Sequence, residues 1–155
     1  MSFLIRFARQ WIAGETLDDA IAQTIKENKA GIGAIINFLG EHVRERKEAE
    51  TNLDENLRIL ESIEKSKASA SLSIKLTQLG LMTEKKLCLS GVERIVSSAA
   101  SKNIFVWVDM ENSPYTEDTI DIYLEILKKY RNIGIVIQSN LKRSEDDVKR
   151  IAMAG

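Results

Sequence analysis

Cysteine and proline are each present once, as Cys88 and Pro114, in a chain of 155 residues. A lone cysteine excludes an intramolecular disulfide and fits a reducing cytoplasm, the expected location. With one proline and no Pro/Ser-rich tract there is no linker signal, so residues 1–155 read as a single domain. Histidine is also single: His42 has no Cys or Asp at ligand spacing, and no metal site is expected. Neither sign of charge dominates, since 22 basic and 23 acidic residues leave a net charge of −1, and this predicts no nucleic-acid or membrane-surface partner. No apolar run approaches the roughly 20 residues of a membrane span. The first nine residues, Met1 to Arg9, are interrupted by Arg6 and lack the apolar stretch of a signal peptide. Nucleotide-binding loops are missing too. Gly31-Ile32-Gly33 opens a strand and does not lead into a helix, so it is neither a GxGxxG fingerprint nor a P-loop.

What remains is the composition of a soluble globular protein, 44% hydrophobic and 29% charged, arranged in alternating periods. Phe3, Phe7 and Trp11 recur every fourth residue and predict a helix over 3–13. Gly14 stops it, and Thr16 reads as the N-cap of a second helix running to Ala30, with Asp18 and Asp19 in its first turn. Strands are predicted at 32–38, 70–75, 104–109 and 133–138. Helices are predicted at 48–66, at 84–101 with a possible break at Ser90-Gly91, at 117–130, and after a Ser144 cap. Apolar strands separated by helices imply an α/β fold with a parallel sheet and right-handed crossovers. Two architectures satisfy this pattern: an open doubly wound sheet, or a (βα)4 unit forming half of a (β/α)8 barrel, preceded by one or two helices (3–30) and built from residues 31–155.

Three of the apolar runs end in a polar residue that a buried strand has no packing reason to carry: Lys75, Asp109 and Gln138. Ligands of parallel α/β proteins sit at the carboxyl ends of strands, so these three are the candidate site residues. The Lys75 ammonium can pair with a substrate carboxylate as a point charge, or it can snorkel from the sheet end. Asp109 can orient Lys75 or begin a turn. Gln138 can both donate and accept, which suits the edge of a heterocycle, or it can satisfy backbone groups at the rim. Glu111 and His42 read as structural loop residues, Cys88 as a buried apolar side chain, Lys142-Arg143 as a solvated pair, and Trp11 and Trp107 as core packing.

Several strings taken in order resemble the proline dehydrogenase family. They are Ala13-Gly14-Glu15-Thr16-Leu17, Gly31-Ile32-Gly33-Ala34, Leu39-Gly40-Glu41-His42-Val43, Ser73-Ile74-Lys75-Leu76-Thr77-Gln78-Leu79-Gly80, Val108-Asp109-Met110-Glu111 and Val136-Ile137-Gln138. The run Lys75 to Gly80 is the most specific. The resemblance implies an FAD-dependent enzyme on a (β/α)8 barrel that oxidises L-proline to Δ1-pyrroline-5-carboxylate. By the same resemblance, Lys75 contacts the substrate carboxylate region, Asp109 helps build the substrate end, and Gln138 meets the flavin ring. Asn37 departs from the family's usual aspartate, and Asn140 stands where the family has an aromatic ring. A full barrel takes about 250 residues, so the chain is expected to be the first half of one and at best weakly active by itself. Half a barrel leaves two strand edges and an inner face open. Its stable form is therefore expected to be self-associated or completed by a second chain. A non-catalytic α/β module, or one subunit of a split enzyme, is the alternative expectation.

Overall fold

Leu72, Ile74, Val106 and Val108 are fully buried, while the residues between them in sequence are not. That alternation, with period two, is the mark of strands covered on one face. The computed structural model describes residues 13–40 and 42–154. All but the last residue of the helix predicted at 3–13 lies outside them. In chain order the elements are α1 (Leu17–Lys29), β1 (Ala34–Asn37), α2 (Arg46–Ser66), β2 (Ala70–Ile74), a 3-10 turn (Leu76–Leu79), α3 (Lys85–Ser101), β3 (Val106–Val108), a second 3-10 turn (Ser113–Tyr115), α4 (Thr116–Leu127), β4 (Ile133–Ile135) and α5 (Ser144–Ala152). The sheet is parallel throughout, with sequential order β1-β2-β3-β4. In such a sheet, crossovers of one hand deliver every helix to the same face. A doubly wound sheet reverses its strand order to cover both faces; this one does not, which decides between the two architectures left open above.

The covered face is one apolar core. Ile36, Leu72, Ile74, Val106, Val108 and Ile133 pack in a single cluster with Leu53, Ile59, Leu60 and Ile63 of α2, Val92, Ile95 and Val96 of α3, and Ile122, Tyr123 and Ile126 of α4. The opposite face is open. Ile35 is 61% exposed there, with Phe105 and Val136 also exposed. Trp107 belongs to this open face and not to the core predicted for it: its even-numbered neighbours Val106 and Val108 point into the helices, so its own side chain cannot. It packs on Phe105, with ring centroids 4.7 Å apart, and lies across β4 at Gly134. A β-carbon at Gly134 would fall 2.7 Å from Trp107 Cζ3 and 3.0 Å from Phe105 Cε1, so any larger residue there displaces the aromatic pair.

Local chemistry sets the element ends. Thr16 caps α1 as the sequence implies: its hydroxyl accepts from Asp19 N at 3.2 Å, while the Asp19 carboxylate accepts from Thr16 N at 3.1 Å, a reciprocal capping box. Helix α3 runs unbroken through Ser90-Gly91, with Gly91 buried. Ser144 is not a cap. It is the first residue of α5, and its hydroxyl donates to the Gln138 carbonyl instead. The strands are shorter than predicted, because β3 and β4 pair over three residues each and the polar residues beyond them belong to loops. Among the described residues, no helix is long and apolar enough to cross a membrane.

The last helix is held by charge. Arg143, read above as solvated, bonds both oxygens of Asp147 (2.7 and 2.8 Å) and also Glu117. Arg150 reaches Glu117 and Asp121, and Lys85 of α3 bonds Asp118 and Asp121. The carboxyl of Glu117 is held below its ordinary range by hydrogen bonds from Arg143 and then Arg150. That of Asp121 is lowered first by Lys85, against partial desolvation. A depressed carboxyl contributes stability above its unfolded pKa of about 4 and loses it as pH falls through the folded value. The protection factors of the α5 amides, corrected for intrinsic exchange, are therefore expected to fall on acidification below about pH 4–5, before those of the β2–β3 core. Glu117→Gln combined with Asp121→Asn is expected to flatten that pH dependence, as read by hydrogen exchange of α5.

Candidate functional site

Two pairs of residues bridge the exits of β2 and β3. The register Ile74↔Val108 sets the first residues past each strand side by side, and the amide of Asp109 is fixed by donating to Ile74 O at 2.9 Å. Lys75 and Asp109 then emerge together on the open side. Lys75 Nζ lies 3.0 Å from Asp109 Oδ2, with side chains 18% and 33% exposed. The sequence-predicted lysine and aspartate are thus a half-buried ion pair and not two independent groups.

The second pair lies two residues further on in each loop. The Glu111 carboxylate is buried and accepts from Thr77 N at 2.9 Å and from the Thr77 hydroxyl. Thr77 is also the meeting point of a third loop: its hydroxyl accepts from His42 N at 3.1 Å, and its carbonyl accepts from Val43 N at 3.1 Å. His42 adopts a positive φ of 61° to present that amide. Its ring nitrogen Nε2 lies 3.1 Å from Asn112 Nδ2, one residue beyond Glu111. Gln78 completes the tie: its side chain donates to Phe38 O at 2.8 Å, and its carbonyl accepts from Asn52 of α2 at 3.1 Å. The exits of β1, β2 and β3 are therefore tied together by buried and part-buried polar bonds that start two residues along the loops from Lys75 and Asp109. Reading the sequence residue by residue missed Thr77. The signal was present as equal spacing, Lys75 to Thr77 and Asp109 to Glu111.

Gln138 stands apart. It lies three residues beyond β4 and is exposed, and its side chain makes one long contact of 3.5 Å, from the amide nitrogen to Met110 O. It is at the same end of the sheet as Lys75 and Asp109 but is not bonded to either. Cys88 is inert as expected: burial pushes its thiol pKa far up, and the S–H points to Leu76 O at 3.5 Å. Among the described residues no cluster of His, Cys, Asp and Glu could hold a metal ion.

A family model described as proline dehydrogenase matches residues 20–154. The chain belongs to the proline dehydrogenase family. Proline dehydrogenase 1 of Bacillus subtilis subsp. natto is 32% identical over 144 residues, covering 93% of this chain and 48% of the relative. The proline dehydrogenase of Deinococcus radiodurans is 25% identical over 145 residues, 90% of this chain and 47% of the relative. The chain spans about half the length of the curated relatives it matches. Among solved structures, proline utilization A (PutA) from Bdellovibrio bacteriovorus superposes with a TM-score of 0.83 over 92% of this chain and 18% of that one, at 23% identity. The Bradyrhizobium japonicum PutA gives 0.73 over 92% and 16%, at 19% identity. These likenesses show the fold: the open (βα)4 sheet is that of a proline dehydrogenase barrel followed through four strands.

The buried bridge between Thr77 and Glu111 carries a stability consequence for this proline dehydrogenase segment. Thr77→Val strands the Glu111 carboxylate without its hydroxyl donor and releases His42 N. It is expected to cost about 1–3 kcal/mol, the range for leaving a buried polar group unsatisfied, read as a lowered urea midpoint at unchanged m-value. Thr77→Ser, which keeps the hydroxyl, is expected to recover most of that loss.

Proposed function

We propose that this chain supplies the lysine–aspartate part of a flavin site that oxidises L-proline to Δ1-pyrroline-5-carboxylate. The observation that carries the reading is the Lys75–Asp109 pair, 3.0 Å apart at adjacent strand exits, in a chain of this family. A proline carboxylate is an anion that a compact ammonium recognises as a point charge. Asp109 fixes where that ammonium sits, and the Thr77–Glu111 bridge fixes the two loops that carry them. Preorganised charge of this kind costs no reorganisation when substrate arrives.

The donor set fits the ring end of FAD. Gln138 presents an exposed amide at the same rim, committed only to one contact of 3.5 Å that a better partner displaces. The open face beside it offers an apolar bed of Val136 and Trp107. When bound, FAD supplies the two-electron acceptor capacity that no side chain has. By the family resemblance, the pyrophosphate end of the cofactor falls to the later half of the barrel. The same holds for the groups that close the substrate pocket. The chain alone is therefore at best a weak catalyst, since each missing electrostatic contact is worth about 10²–10³ in rate.

A second reading follows from the coverage of 48% of the relative: the chain acts as one subunit of a split enzyme, or as a non-catalytic α/β module. One experiment addresses both. The chain is co-expressed with the part of Bacillus subtilis proline dehydrogenase 1 that it does not match, and the purified material is examined for the visible oxidised-flavin band and its bleaching by L-proline. Bleaching is expected, with Lys75→Ala and Asp109→Ala each slowing it by about 10²-fold or more while flavin is retained. Unchanged bleaching in Lys75→Ala overturns the assigned role. A flavin-free complex that ignores proline favours the non-catalytic module.

A further inference from the structure

Lys75 occupies a position that its side chain cannot serve. It is the N-cap of the 3-10 turn Leu76–Leu79, with φ −109° and ψ 127°. Capping residues are normally Ser, Thr, Asp or Asn, whose side-chain oxygens accept from the second or third N–H of the turn. An ammonium has no lone pair to offer, and Lys75 makes no side-chain cap bond. The third N–H, that of Gln78, is taken by Lys75 O at 3.2 Å. The second, that of Thr77, is taken from outside the turn. Glu111, on the loop after β3, accepts it at 2.9 Å and accepts the Thr77 hydroxyl with its other oxygen. A carboxylate supplied by the neighbouring strand thus stands in for the missing cap.

We infer that Glu111 and Thr77 are positioning residues for Lys75. The backbone of Lys75 is held on both sides by bonds to one neighbouring segment. Before it, Ile74 O accepts from Asp109 N at 2.9 Å; after it, Thr77 N donates to Glu111 at 2.9 Å. Only the buried Met110 lies between Asp109 and Glu111, so the two clamps cannot shift independently. Delegating the cap to Glu111 frees position 75 for a cation. A Ser or Asp there would close the turn itself but carry no positive charge to the strand exit. The far end of the turn is fixed separately. Gly80 closes it at φ 88°, where a β-carbon would fall 3.0 Å from Leu87 Cδ2 and 3.3 Å from Ala49 Cβ, and Asn52 of α2 donates to Gln78 O at 3.1 Å. It is the near end that aims Lys75 Nζ, 3.0 Å from Asp109 Oδ2. Burial strengthens the clamp: Thr77 and Glu111 are both out of water, and hydrogen bonds to a carboxylate are stronger than those between neutral groups.

The inference rests on the proline reading only for what Lys75 binds, and its test needs no proline. Trace labelling of the purified chain with acetic anhydride across pH, read by mass spectrometry of the Lys75 peptide, reports how firmly that ammonium is held, because only the neutral amine reacts. The exposed Lys29 serves as internal standard. Glu111→Gln keeps the side-chain size but accepts with one oxygen only. It is expected to raise Lys75 labelling about two- to fivefold, the range an ion pair of modest strength allows, towards the rate of Asp109→Asn. Thr77→Val is expected to act likewise, and Thr77→Ser to restore the original rate. Asn52→Leu removes a buried bond at the far end of the same turn. It is expected to lower the urea midpoint and leave Lys75 labelling unchanged, which separates aiming from stability. Far-ultraviolet circular dichroism establishes that each variant remains folded. Unchanged labelling in Glu111→Gln and Thr77→Val overturns the inference, as does an equal rise in Asn52→Leu. In the co-expressed flavin complex, Glu111→Gln is expected to raise the proline concentration for half-maximal bleaching more than it lowers the limiting rate. Unaltered bleaching in Lys75→Ala beside faster labelling in Glu111→Gln supports the positioning and overturns only the substrate assignment.

Discussion

Every feature of this molecule depends on one constraint of chirality. Parallel strands joined in sequence by crossovers of a single hand place all their helices on one side of the sheet. The order β1-β2-β3-β4 therefore gives one buried face and one open face, with no means of covering the second from within these elements. The buried face holds the fold together. Leu72, Ile74, Val106 and Val108 interlock with α2, α3 and α4, and this burial is the main favourable term of folding. The open face is what remains for ligand and partner.

The chemistry at the strand exits is layered in the same way. Lys75 and Asp109 are half-buried and can be reached from the open side. Thr77 and Glu111, two residues deeper into each loop, are buried and bonded to each other. A surface ion pair by itself contributes little to stability. Here its geometry does not depend on its own energy, because the loops beneath are held by bonds that are costly to leave unmade. The Lys75–Asp109 charge pair is thus set on a frame that does not need that charge to stay folded. The Arg143–Arg150 network with Glu117 and Asp121 is the opposite case: it is exposed, it fastens α5 to the rest, and it weakens with acid.

Much of this was legible before any coordinates. The apolar strand runs, the Thr16 cap and the helical stripes gave the element order, because hydrophobic patterning is written locally. Lys75 and Asp109 were visible as polar residues that end apolar runs. Other features were not visible. Strand ends could not be placed, since Asp109 and Gln138 continue the apolar pattern while their pairing stops at Val108 and Ile135. Ser144 reads as a cap in sequence, yet its hydroxyl is taken by a carbonyl six residues back. Arg143 reads as solvated because its partner Glu117 lies on another helix. Trp107 reads as core because an aromatic residue between two valines does not reveal which of the two faces is covered.

The amino-acid sequence by itself determined the family, the alternation of strands and helices, and which residue types stand at the strand exits, since each of these is a property of contiguous residues and their order. The tertiary structure alone decided that the sheet is covered on one face, that Lys75 meets Asp109, and that Thr77 ties three loops through Glu111 and His42. The reason is that these depend on register between strands more than 30 residues apart. Register is set by the packing of the whole buried face, and no local stretch of the chain contains it.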